Sequence, residues 1–161
     1  MNTLVANIFF AVAWMILFNS FTWLSVLSGL AVGYFVLMLI QPLAGGKSTY
    51  FKRVWYWIKL LVMFNYELIV SSIEVLWDIF TPTHRSNPAI VNMPLDVKSD
   101  AGSLLVTNLI SLTPGTLSID VSEDRKTLKL HVMFADDPEA VCRSLKQGME
   151  RWVIDAVEDQ E

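Results

Sequence analysis

No charged side chain occurs before Lys47. About a quarter of the residues in an ordinary soluble domain are charged, so a neutral stretch of 46 residues is incompatible with a water-facing surface. It divides into two apolar runs. Thr3 to Phe18 is interrupted only by Asn7, and Trp23 to Ile40 follows after Asn19, Ser20 and Thr22 and ends at Gln41-Pro42. A helix rises 1.5 Å per residue and needs about 20 residues to cross about 30 Å of hydrocarbon. The second run meets that length and the first is slightly short. Together they predict a tight helical hairpin in lipid, with helices over residues 3–18 and 23–41. Gly29 and Gly33 form a G-x-x-x-G spacing in the second run, which lets another helix approach closely. The first run has no basic leader and no cleavage site, so it reads as a retained helix and not a signal peptide.

Hydrophobic residues make up 53% of the 161-residue chain and charged ones 17%, and the two are segregated. Residues 1–82 carry a net charge of +1 and residues 83–161 a net charge of −5, within a total of −4. This predicts membrane helices over 1–82 and a polar domain over 83–161. An acidic domain is the wrong sign for phosphate, which excludes nucleic acid as a partner. Cys142 is the one cysteine. It forms no intramolecular disulfide and reads as a small apolar residue in a helix.

A polar link, Ala44 to Thr49, leads to a third helix over residues 50–80, closed by Pro82. At 100° per residue, Lys52, Lys59, Glu67, Ser71, Glu74 and Asp78 fall on one stripe about a third of the circumference wide. Carboxylates in hydrocarbon cost several kcal/mol unless paired or hydrated. The stripe therefore faces water, headgroups or protein. Three readings stay open: a proton or cation relay, a helix lying in the interface, or a spanning helix whose stripe docks on a partner. The carboxylates crowd toward the C-terminal end and not the midplane, which disfavours the relay. Lys47, Lys52 and Arg53 put the link on the cytoplasmic side by the positive-inside rule. Three full crossings then leave the acidic domain outside, so the third helix does not fully cross, the first is re-entrant, or the bias is overridden.

Past the joint Thr83–Asn87, residues 89–97 read as a strand that Pro94 places at an edge or a bulge. Ser99-Asp100 starts a helix carrying Leu104, Leu105, Asn108, Leu109 and Leu112, which ends at Thr113-Pro114-Gly115-Thr116. Leu117, Ile119 and Val121 then alternate with Ser118, Asp120 and Ser122. After the turn Glu123–Lys126, Leu128, Leu130 and Val132 alternate with Lys129 and His131. This is a hairpin with the aliphatic residues turned inward. Asp136-Asp137-Pro138 opens a last helix with Val141, Leu145, Trp152 and Val153 along one side. The order β-α-β-β-α predicts a small α+β domain, an open sheet with two helices on one face, as in a ferredoxin-like split-βαβ unit.

Little in this half carries chemistry. His84 sits in the joint and His131 on the outward face of a strand, neither at metal-ligand spacing with Cys or carboxylates. Asp120, Glu123, Asp124, Asp136 and Asp137 lack the ligand order of a calcium loop. There is no phosphate loop and no nucleophile elbow. The expectation is a protein with no catalytic residues, no cofactor and no metal.

The block from Leu112 to Ser122, with Thr113-Pro114-Gly115-Thr116 at its head, is followed by a charged turn and Thr127 to Val132. It resembles the signature of the E subunit of the Mrp-type (Mnh) sodium/proton antiporter. The resemblance covers the order of parts along the whole chain. It implies an accessory subunit, without catalytic residues, of a multisubunit monovalent cation/proton antiporter in the bacterial plasma membrane. Its partners would be other integral-membrane subunits and the lipid bilayer, and its C-terminal domain would be cytoplasmic. The residues themselves make Thr113–Thr116 a rigid turn, because Pro114 fixes φ and Gly115 admits a positive φ. The residues leave a second reading open, a free-standing membrane-anchored adaptor that binds a soluble partner and transports nothing.

Overall fold

The computed structural model describes residues 3–40, 49–82 and 86–158. Lys47 with most of the polar link, and His84 in the joint, lie outside the described residues. Two compact units divide the chain, Met1–Val54 and Trp55–Glu161.

The first unit is built on a helical hairpin, α1 (Thr3–Leu17) and α2 (Trp23–Ile40). Asn19 stops α1 by adopting φ 46°. With that left-handed residue in place, the Ser20 amide reaches the Met15 carbonyl and the Asn19 amide reaches Ile16, each at 3.1 Å. This double closure satisfies the carbonyls that a helix end otherwise leaves bare. Thr22 caps α2 by accepting the Ser25 amide at 3.3 Å, and the Ser25 hydroxyl donates to Ser20 at 2.8 Å.

The glycine pair brings together the chain's own helices. Gly29 and Gly33 are the buried residues of α2, facing Asn7, Phe10 and Ala11 of α1. A Cβ on Gly33 would stand 2.2 Å from the Asn7 Oδ1, and one on Gly29 would stand 3.0 Å from the Ala11 Cα. Asn7 is 2% exposed, and its Nδ2 donates to the Tyr50 hydroxyl at 2.7 Å. Its Oδ1 has no hydrogen-bond partner among the described residues and faces the bare Cα of Gly33.

Helix α3 (Tyr50–Phe80) is continuous for 31 residues. Trp23–Ile40 and Tyr50–Phe80 are each long and apolar enough to cross a membrane. Thr3–Leu17 is shorter.

The second unit carries a three-stranded antiparallel sheet in the order β1-β3-β2, with β1 Ala89–Pro94, β2 Thr116–Val121 and β3 Thr127–Val132. Pro94 ends an edge strand, where a missing N–H costs no ladder bond. Ser99 caps α4 (Asp100–Leu112) through its hydroxyl, which accepts the Gly102 amide at 3.1 Å. Val91, Met93, Leu128, Leu130 and Val132 cover the inner face and meet Val106 and Ile110 of α4 and Met149 and Val153 of the last helix. Leu60 of α3 joins the same cluster.

Strand β2 departs from its sequence pattern. Leu117 pairs with His131 on the outer face and is 55% exposed, while Ser118 pairs with Leu130 on the inner face. A bulge after Ser118 leaves Ile119, 49% exposed, as an extra residue and returns Val121 to the inside. The cause is the close approach of α4. The Ser118 hydroxyl donates to the Thr107 carbonyl at 2.9 Å, and its amide donates to the Ser111 hydroxyl at 3.0 Å. A leucine in that register would separate strand from helix. Alternation therefore identified the strand and placed Asp120 and Val121 on their faces, while Leu117, Ser118 and Ile119 take the opposite ones.

The last helix is interrupted as well. Asp137 caps α5 (Pro138–Leu145) by accepting the Glu139 and Ala140 amides. A π-turn, Lys146–Glu150, then leads into α6 (Arg151–Val157), with the Arg151 amide reaching back to the Lys146 carbonyl.

Two outcomes follow from this packing. Gly33→Ala lowers the thermal stability of the detergent-solubilised chain by about 1–3 kcal/mol. Adding Asn7→Ala recovers part of that loss, because the pair in contact is coupled. Leu130→Ala destabilises by about 2–5 kcal/mol, whereas Leu117→Ser stays within about 0.5 kcal/mol of the parent. Equal costs at the two leucines would refute the observed register.

Candidate functional site

The turn Thr113–Thr116 joins α4 to β2 and ties together three backbone ends. Gly115 has φ 88°, a value open to glycine and strained for other residues. Thr113 is buried, and its hydroxyl donates to the Leu109 carbonyl at 2.9 Å, capping α4 from within. The Thr116 hydroxyl donates to the carbonyls of Ile110 and Thr113. The Gly115 carbonyl accepts the Met133 amide at 2.7 Å, which fastens the end of β3. A Cβ on Gly115 would lie 3.6 Å from Val75 of α3 and 3.7 Å from Phe134, so the turn stands beside the third helix.

The polar stripe of α3 is graded in exposure. Lys59, Glu67 and Ser71 are half-buried, Glu74 is exposed, and Asp78 is buried at 4% exposure. The Ser71 hydroxyl donates back to the Glu67 carbonyl at 2.5 Å, so it serves its own helix. Glu74 and Asp78 line a cleft of about 340 Å³ with Ile73, Trp77, Phe134 and Asp136. Asp136 is oriented by Asn87, whose Nδ2 donates to it at 3.2 Å. The segment after β3 thus meets the C-terminal end of the stripe, and the turn and the stripe are neighbours on one side of the unit.

The other acidic residues named from sequence have local duties. Asp124 accepts from Ser122 and from the Lys126 amide, and these bonds hold its carboxyl below the ordinary range. Asp137 is a helix cap, and Asp100 pairs with Arg125. His131 is exposed between Ile90 and Leu117 on the outer face of the sheet. Cys142 is half-buried, and burial pushes its thiol pKa up.

Two residues escaped the sequence reading. Glu150 and Glu158 project from the last helix onto the connection between β1 and α4. The Glu150 Oε1 accepts the amides of Asp96 and Val97 at 2.5 and 3.2 Å. The Glu158 Oε1 accepts those of Lys98 and Ser99 at 2.5 and 3.0 Å. Lys146 closes the same face with an ion pair to Asp96 at 2.8 Å. The spacing of Lys146, Glu150 and Glu158 in steps of four was the available signal. The π-turn that aims Glu150 inward leaves no trace in composition.

A family model described as a Na+/H+ ion antiporter subunit matches residues 7–156. The chain belongs to this family. Among its relatives, the E subunit of the Na+/H+ antiporter of Alkalihalophilus pseudofirmus is 34% identical over 152 residues, covering 94% of this chain and 96% of that one. The E1 subunit of the Na+/H+ antiporter of Staphylococcus haemolyticus is 30% identical over 156 residues, covering 97% and 98%. A chain in the Mrp complex from Dietzia sp. is 26% identical with a TM-score of 0.51, over 62% of this chain and 93% of its own. A chain of the membrane-bound sulfane sulfur reductase, an archaeal respiratory membrane complex, shares the fold with a TM-score of 0.58 at 22% identity, over 96% and 97%. The likeness to the antiporter E subunits therefore extends across both the apolar hairpin and the small sheet domain.

The turn yields a direct test. Gly115→Ala costs about 1–2 kcal/mol of stability through backbone strain. Pro114→Ala costs less than about 1 kcal/mol, since it only loosens the unfolded chain. Chemical denaturation of both variants gives the ranking.

Proposed function

We propose that this chain is an accessory subunit, without catalytic residues, of a multisubunit monovalent cation (sodium)/proton antiporter in the bacterial plasma membrane, where it supports assembly and stability of the ion-translocating subunits. The match to the antiporter-subunit family over residues 7–156 carries this reading. The likeness to a chain of an Mrp complex supports it. In this role the protein works beside other integral-membrane subunits, with residues 1–82 as its membrane part and residues 83–161 as a cytoplasmic α+β domain. That domain is a ferredoxin-like split-βαβ unit in this reading, which the position of β3 between β1 and β2 supports.

Docking centres on the polar stripe. A half-buried Glu67 beside apolar neighbours is expensive in lipid and inexpensive against a polar subunit surface. Lys59, Glu67, Ser71 and Glu74 therefore form the contact, while Asp78 sits at the cleft with the chain's own Phe134 and Asp136. The turn Thr113–Thr116 holds α4, β2 and the end of β3 as one rigid brace behind it.

Purification in mild detergent tests the reading. The chain copurifies with large membrane subunits, and a lone species of its own size overturns the proposal in favour of a free-standing adaptor. Glu67→Gln with Glu74→Gln lowers antiport in vesicles and the abundance of partner subunits together. Loss of antiport with assembly intact would instead assign the carboxylates to an ion path.

A further inference from the structure

Glu150 is 1% exposed, and its two oxygens are treated unequally. Oε1 accepts two successive amides, whereas Oε2 has no hydrogen-bond partner among the described residues. A carboxylate needs about four acceptor sites filled to match its hydration. The backbone that Glu150 meets belongs to the apolar core: Val97, whose amide it accepts, and Met149, the residue before it, are both buried in the hydrophobic cluster. The charged groups that act on Glu150 are Asp96, which opposes ionisation, and Lys146, which favours it and is itself paired with Asp96. Other ionisable side chains on the elements of this core include Lys98, Asp100 and Glu158 beside the connection, Lys129 and His131 on β3, Glu139, Cys142 and Arg143 on α5, Arg151 and Asp155 on α6, and Tyr56 and Lys59 on α3. Of these, Glu158 is engaged with the amides of Lys98 and Ser99, and Asp100 with Arg125.

We infer that Glu150 is a proton-operated latch, holding the β1–α4 connection closed while its carboxyl is protonated and releasing it as pH rises. Burial pushes the Glu150 pKa above the ordinary glutamate range, against the smaller pull of the Asp96 and Val97 amides. A group whose pKa is raised by folding stabilises the fold fully below its unfolded pKa. That stabilisation is lost as pH climbs through the raised value. The Asp96 and Val97 amides feel this change first, because they are bonded to the carboxyl that titrates. The Lys98 and Ser99 amides are bonded to a different carboxylate and form an internal reference.

The test is amide hydrogen exchange on the full chain in detergent, between pH 5 and pH 8. Each amide is corrected for its intrinsic base-catalysed rate. Protection of Asp96 and Val97 relative to Lys98 and Ser99 falls about tenfold for each unit by which folding raises the pKa. In Glu150→Gln the same ratio is flat across the range. In Asp96→Asn the fall moves to lower pH, since a repelling charge is gone. A ratio in the parent protein that does not change with pH overturns the latch, whether or not the variants fold. A slope that survives in Glu150→Gln also overturns it.

Discussion

A backbone N–H or C=O withdrawn from water must find a partner, and an orphan costs about as much as a single domain can spare. The architecture of this protein is largely a set of answers to that constraint. In the apolar hairpin the helices satisfy themselves, and the tip is closed by the left-handed Asn19 and the amides of Asn19 and Ser20. In the sheet domain two connections and one strand need outside help. The Thr113–Thr116 turn closes α4 with two hydroxyls, Ser118 crosses to α4, and the carboxylates of Glu150 and Glu158 take four consecutive amides from residues 96–99. The last of these hold the connection from β1 to α4 together with the Lys146–Asp96 ion pair and the Leu95 amide bonded to the Lys126 carbonyl.

Much of this was legible from residue order. The two apolar runs, the caps at Ser99 and Asp137, the hairpin between Val121 and Thr127, and the helix end at Thr113 follow from local chemistry. Pro94 behaved as an edge residue for the reason its missing N–H supplies. What escaped was set by tertiary packing. Leu117 and Ile119 carry the periodicity of buried positions and point outward, because α4 comes within hydrogen-bonding distance of Ser118. Glu150, to which the residue pattern assigned no role, is buried at the end of a π-turn. Periodicity reports which residues alternate, and the neighbouring helix decides which set goes inside.

The candidate site was legible in outline. Charge spacing on α3 located the stripe, and the turn motif located the brace, yet their nearness to one another required the fold. Val75 beside Gly115, and Glu74 and Asp78 around a cleft with Asp136, join features almost 40 residues or more apart in sequence. Asp78 differs from the rest of the stripe because it alone is buried on its own chain.

The register of β2 has a consequence for the surface of the sheet. Leu117 and Ile119 stand exposed on a strand at the edge of its sheet, with His131 between Leu117 and Ile90. Edge strands with exposed aliphatic residues template association, and chaperones and proteases triage chains that expose such surface. This edge therefore combines unpaired backbone with exposed aliphatic side chains, the two features that favour such pairing.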